Sequence, residues 1–176
     1  MNIREFRAEI FKAFQEEGFR EQRLPKSGDK IWHLPSLEVV PYFGTHTQRR
    51  PFGFVLYGVF GIEIPMLREW LIKYKPGQES GIFHRGFVEY YSTNDKVFRD
   101  FAIENDSPIP ADLWVGLIKD RLNLIPSSLD ELLKIYRSNR EHLGMLAHPT
   151  NKIAWDFLIR WHQNPDPRLD VPHSLF

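Results

Sequence analysis

Residues 37–64 read "LEVVPYFGTHTQRRPFGFVLYGVFGIEI", two strongly apolar runs on either side of a polar stretch. The fold turns on how these three pieces are read. The first run, "LEVVPYF", is rich in β-branched and aromatic residues and reads as a strand. Pro41 inside it has no N–H for a ladder, which places this strand at a sheet edge or at a bulge. The second run, 52–63, puts Phe54, Leu56, Phe60 and Ile62 on one face and Val55, Tyr57 and Val59 on the other. Both faces are apolar, so the pattern is that of a central strand. The stretch between them, "GTHTQRRP" at Gly44–Pro51, reads as a polar hairpin connection. It is longer than the roughly two to five residues usual for a hairpin loop, and extra loop length sometimes marks function.

Working outward, "IWHL" at 31–34 reads as a short strand, and "FREQRLPKSGDK" before it as a polar connection. Ile3, Phe6, Ile10 and Phe14, widened by Phe11, recur at helical spacing over 3–17, with Asn2 and Glu5 as a capping box and Gly18 as the terminator. Pro65 suits the first turn of a helix carrying Met66, Leu67, Trp70, Leu71 and Tyr74, which ends at Pro76–Gly77. "GIFHRGFVEYY" at 81–91 reads as a fourth strand, and from Thr93 onward the periodicity is mostly helical. "NDKVFRDFAI" is a short helical pattern. "ADLWVGLIKDRL" aligns Trp114, Ile118 and Leu122, with Leu113 and Leu117 beside them. "SSLDELLKIYRSNREHL" begins with a Ser128–Glu131 capping box and buries Leu129, Leu132, Leu133 and Tyr136. "TNKIAWDFLIRW" aligns Ala154, Phe157, Leu158 and Trp161, and Trp114, Trp155 and Trp161 read as core. The tail 164–176 contains three prolines and reads as extended. These elements predict an α+β fold: a mainly antiparallel sheet of about four strands, an N-terminal helix and a helical C-terminal part over 111–163. A single domain over 1–176 is expected, with a candidate internal boundary at 92–110.

Composition narrows the function classes. Hydrophobic residues make up 42% and aromatic residues 14% of the chain, enough for a real core. Lys plus Arg and Asp plus Glu each total 23, so the basic footprint of a bulk nucleic-acid binder is missing. With no cysteine, disulfides, thiolate metal sites and thiol nucleophiles are excluded. The N-terminal stretch carries charges every few residues and lacks a signal-peptide core. The longest apolar run, "FVLYGVFGI", falls far short of the ~20 residues a membrane helix needs. A cytoplasmic protein without a membrane partner is the expectation.

Two candidate surfaces emerge. In the 44–51 stretch, Arg49 and Arg50 could clamp a phosphate or carboxylate, with His46, Thr45 and Thr47 adding hydrogen bonds; a merely solvated turn would have the same composition. In the sheet, alternation allows Tyr42, Tyr57, Arg85, Glu89 and Tyr91 to share one face if the registers align. Tyrosines and an arginine on an apolar surface are the anchors of a protein-binding patch, or of a pocket in which Arg85 reads an anion. Under a covering helix the same residues would form only a structural ion pair, Arg85 with Glu89. Seven histidines raise the question of a metal. No two of them stand at a metal-binding spacing: His142 and His148 straddle Gly144, and His84 and Glu89 fall on opposite sides of their strand. No nucleophile elbow, phosphate-binding loop or dinucleotide fingerprint is present, so no catalytic residue and no cofactor is assigned. Glu38 or Glu89 beside a tyrosine is the remaining acid–base possibility.

The opening helix, the Gly18–Phe19 pair in "EEGFREQ" and the aromatic strand "KIWHL" resemble a bacterial family of unknown function. Its members begin with an amphipathic helix, a Gly-Phe pair, a basic residue and an aromatic strand. The resemblance covers roughly the first third of the chain. It implies a small bacterial cytosolic α+β protein, one suggested to act beside toxin or defence systems, and it transfers no catalytic residues. The sequence therefore favours a non-enzymatic binding protein with a protein partner, immunity-like or regulatory. An anionic-ligand binder or enzyme is the alternative, and a structural subunit or homodimer the third reading.

If Gly44–Pro51 is a solvated connection, Arg49→Ala combined with Arg50→Ala leaves the thermal midpoint within about 2 °C of wild type, as surface changes generally do. A larger drop in a calorimetric scan shows the stretch to be part of the folded framework.

Overall fold

A computed structural model of the chain describes residues 3–23, 30–50, 53–77 and 110–173, with the side chains at 3, 6, 46–50, 53–59 and 145 outside that description. The elements in chain order are α1 (Ile3–Glu16), β1 (Arg20–Arg23), β2 (Lys30–His33), β3 (Val40–Arg50), β4 (Gly53–Glu63), α2 (Pro65–Tyr74), α3 (Ala111–Leu122), α4 (Leu129–Ser138) and α5 (Lys152–Gln163). Two 3-10 segments, Arg140–Ala147 and Pro149–Asn151, join α4 to α5. The strands form one antiparallel sheet in the order β1-β2-β3-β4. The fold is α+β, as the periodicities predict. The expected strand at 81–91, the helical pattern at 94–103 and most of the candidate boundary at 92–110 lie outside the described residues.

Three sequence readings are corrected. Arg20–Arg23, read as a connection, is the strand β1, paired to β2 from Arg20↔His33 to Arg23↔Lys30. Its residues, REQR, lack apolar alternation. Cross-strand charge pairing supports it instead, Lys30 Nζ lying 2.9 Å from the Glu21 carboxylate. A charged edge strand of this kind also resists further strand addition. The stretch from Gly44 to Arg50 is not a loop: β3 continues through it to Arg50. Pro41 does not mark an edge, because β3 lies between β2 and β4. The β2–β3 register ends at His33↔Tyr42, so the prolyl nitrogen needs no acceptor on β2. Among the described residues β4, read as central, has β3 as its sheet neighbour.

The described residues divide into two compact units. One contains α1, β1, β2, β3 from Tyr42, β4 as far as Val59, and α3. Its centre is aromatic. Trp32 and Phe43 are register partners and both are fully buried. Directly opposed residues share a sheet face, so this pair defines the face that α1 and α3 cover. Phe14 from α1 stacks on Trp32 at 4.9 Å with planes 5° apart, and it meets Trp114 of α3 edge-on at 6.0 Å. Phe43 meets Trp114 edge-on at 5.5 Å. Such ring pairs add about 0.5–1.5 kcal/mol each beyond their burial. The stop of α1 agrees with expectation. Gly18 has φ +86°, its N–H donates to Gln15 at 3.1 Å, and the Phe19 N–H donates to Phe14 at 3.0 Å. These two bonds are the paired closure that a left-handed terminal residue permits.

The second unit contains Ser36–Pro41, β4 from Phe60, α2, and the chain from Leu124 onward. Its core gathers Leu67, Trp70 and Leu71 of α2, Leu129, Leu132 and Leu133 of α4, and Ala154, Trp155, Phe157, Leu158 and Trp161 of α5. Met66 and Tyr74, expected in the α2 stripe, are exposed. Tyr136 stacks on Trp155 at 4.2 Å, and the Trp155 indole N–H donates to the Leu146 carbonyl at 2.9 Å. The start of α4 is also corrected. Ser128 makes no capping bond through its side chain. The Leu129 N–H instead donates to the Glu38 carboxylate at 2.9 Å, and the Val39 N–H donates to the Ser127 carbonyl at 3.2 Å. Glu38 is thus a helix cap brought in from a distant segment, at the positive end of the α4 dipole. The tail is tied down by the Trp70 indole N–H, which donates to the Pro165 carbonyl at 3.1 Å. A hydrogen bond from the Arg168 guanidinium, with a second from the Arg168 backbone N–H, holds the Asp166 carboxyl at about 2, well below the usual carboxylate range.

Two outcomes follow from these contacts. Glu38→Ala lowers the stability measured by urea unfolding by about 1 kcal/mol, the usual cost of a lost cap, while Ser128→Ala changes it by under about 0.5 kcal/mol. The depressed Asp166 pKa contributes stability that is present above the ordinary carboxylate pKa and is lost as pH falls from about 4 to about 2. In an NMR titration, Arg168→Ala moves the Asp166 midpoint up toward the ordinary carboxylate range but leaves it below that range, because the backbone N–H of residue 168 still donates to the carboxylate.

Candidate functional site

Most of the residues singled out in the sequence lie, by side chain or altogether, outside the described residues. Tyr42 is 3% exposed and belongs to the interior. His46, Arg49 and Arg50 lie on β3 and Tyr57 on β4, with side chains outside the description. Arg85, Glu89 and Tyr91 lie outside the described residues altogether. Glu38, a candidate acid–base group, is occupied as the cap of α4. Two histidines serve local structure: the His142 ring bonds the Leu124 carbonyl at 3.3 Å, and His148 accepts from the Thr150 N–H at 3.3 Å. Among the described residues no three His, Asp or Glu side chains come together as a metal site would require. Nor is any helix among them long and apolar enough to cross a membrane.

A different set of side chains does converge, on α4 and the end of α5. Burial of Leu129, Leu132 and Leu133 turns the opposite side of α4 outward. At ~100° per residue, Asp130, Lys134 and Arg137 then fall within about 60° of arc, one above the other. The last turn of α5 brings His162 and Gln163 beside this row. Together they line a groove of about 470 Å³ with Leu133 at its floor and Ser138 at one end.

The electrostatics of the groove are uneven along its length. At the Asp130 end, His162 Nε2 lies 2.7 Å from Asp130 Oδ1, an interhelical pair in which the carboxylate side chain is 88% exposed and the imidazole 34%. A short hydrogen bond of this kind fixes which imidazole nitrogen faces the acid. Toward the other end stand Lys134 and Arg137, and neither makes an ion pair among the described residues. The Ser138 hydroxyl donates to the Lys134 carbonyl at 2.9 Å, which occupies its proton. The groove therefore offers two cations without an ion pair among the described residues, an acid–imidazole pair and the Gln163 amide. Chemically, such a set is complementary to anionic and hydroxylated groups.

Sequence reasoning did not select these residues. The signal present was the spacing of Asp130, Lys134 and Arg137 on the outer face of the best-defined helix. The proximity of His162 was not readable, because it depends on how α5 packs against α4. The chain matches no protein-family model, no curated protein and no solved structure in comparisons with all three.

Proposed function

We propose that this protein is a binding protein for a small anionic molecule and that the α4–α5 groove is where the anion sits. The observation that carries this reading is the presence of Lys134 and Arg137, adjacent on one helical face, facing a concavity without an ion-pair partner among the described residues. Among the described residues, the one carboxylate lining the groove, Asp130, is engaged by His162. Lys134 and Arg137 are thereby left to attract an anion in a concave site, and the curvature concentrates their field. The groove volume falls within the ~300–1,000 Å³ range of small-molecule sites. Arg137 supplies a planar fork suited to carboxylate or phosphate, and Lys134 a mobile point charge.

The chemistry favours binding over catalysis. The Ser138 hydroxyl is bonded to a backbone carbonyl and not to a base, so it is not an activated nucleophile. The Asp130 carboxylate is bonded to His162 and open to solvent, so no reacting group is enclosed beside it. A protein-partner role through the sheet face would need Tyr42 at the surface, and its burial weighs against that arrangement.

In a heteronuclear NMR titration, inorganic phosphate shifts the α4 backbone amides and the His162 ring. The double change Lys134→Gln with Arg137→Gln weakens that binding at least about tenfold, the loss expected when two charge-assisted contacts are removed. The thermal midpoint stays within about 2 °C of wild type, because neither side chain is part of the core. Shifts that persist unchanged in the double variant would sink the assignment of the groove.

A further inference from the structure

The groove is polar in a directional way, and this order narrows the ligand. Asp130 and Arg137 lie at opposite ends of one helical row. At about 1.5 Å of rise per residue they are separated by about 10 Å along α4. Cations occupy the end at Lys134 and Arg137, and the carboxylate occupies the other, held by His162 at 2.7 Å. An anionic group is drawn to the cationic end and repelled from Asp130, so a ligand has one orientation available. Its uncharged part then meets an acceptor in Asp130 and hydrogen-bonding groups in His162 and Gln163, the complement of hydroxyl groups.

Resting on the anion-binding reading above, we infer that the ligand is a soluble phosphate monoester of a short polyol or sugar, with its phosphate at Lys134 and Arg137 and its hydroxyls at Asp130. Lys134 and Arg137, neither ion-paired among the described residues, place two positive charges at one end of the groove, a number that suits a phosphate dianion better than a monocarboxylate. Residues three apart on a helix have Cβ atoms about 5–6 Å apart, which lets both heads converge on a single tetrahedral group. A three- to five-carbon hydroxylated chain covers the remaining distance to the Asp130–His162 pair.

The test compares inorganic phosphate, ribose 5-phosphate, ribose, acetate and vesicles containing phosphatidic acid, by calorimetry or NMR for the soluble probes and by co-sedimentation for the vesicles. Ribose 5-phosphate binds at least about fivefold more tightly than inorganic phosphate, about 1 kcal/mol, while ribose and acetate bind at least tenfold more weakly than the ester. Asp130→Asn removes most of the advantage of the ester over inorganic phosphate and does not weaken inorganic phosphate itself. Lys134→Gln weakens both. Equal affinity for the ester and inorganic phosphate, an ester preference that survives Asp130→Asn, or acetate matching phosphate overturns the inference while leaving an anion site in place. Co-sedimentation that is lost in Lys134→Gln overturns the soluble-ligand assignment. Failure of every anion to bind removes the underlying reading as well.

Discussion

The candidate site depends on the 3.6-residue period of α4. Three leucines, Leu129, Leu132 and Leu133, leave water on one side of this helix. Each contributes about 1.5–3 kcal/mol through burial. The gain from that burial far exceeds what any exposed lysine or arginine contributes by its position. The leucines consequently decide the rotation of the helix, and Asp130, Lys134 and Arg137 face the groove as a consequence. The Glu38 carboxylate at the Leu129 N–H determines where the helix begins. The 3-10 turns after Asn139 then return the chain so that α5 ends beside α4, where His162 reaches Asp130.

The other unit is organised by a different rule with the same outcome. Strand alternation has a period of two, and the Trp32↔Phe43 register pair commits β2 and β3 to one buried aromatic face. A slip of one residue would bring Ile31, His33 and Tyr42 to that face and break the stacking of Phe14 on Trp32. Ring–ring contacts from α1, β2, β3 and α3 therefore act as a register lock. Tyr42 is buried as well, so alternation there separates two interior environments and not an inside from an outside.

Where the described structure departs from the reading of the sequence, the departures have one physical source. Polar side chains between apolar runs, as in Gly44–Pro51, have the composition of a loop. Hydrogen bonding along β3 extends through this stretch to Arg50, and local composition carries no information about a partner strand. Glu38 illustrates the same gap. An isolated carboxylate beside a tyrosine suggests acid–base chemistry, yet its geometry is that of a cap for a helix many residues away.

Local residue patterns suffice for the classes of element: the amphipathic α1 closed by Gly18, the Pro65 start of α2, the leucine row of α4, the tryptophan-bearing α5 and the apolar strand β4. From these the α+β class follows, because the periods of apolar residues are local properties of the chain. Tertiary structure alone decided the polar strand β1, the full length of β3, the carboxylate that caps α4 and the meeting of His162 with Asp130. Each of these rests on bonds between separate segments, whose existence depends on how the segments come together and not on the residues of either one taken alone.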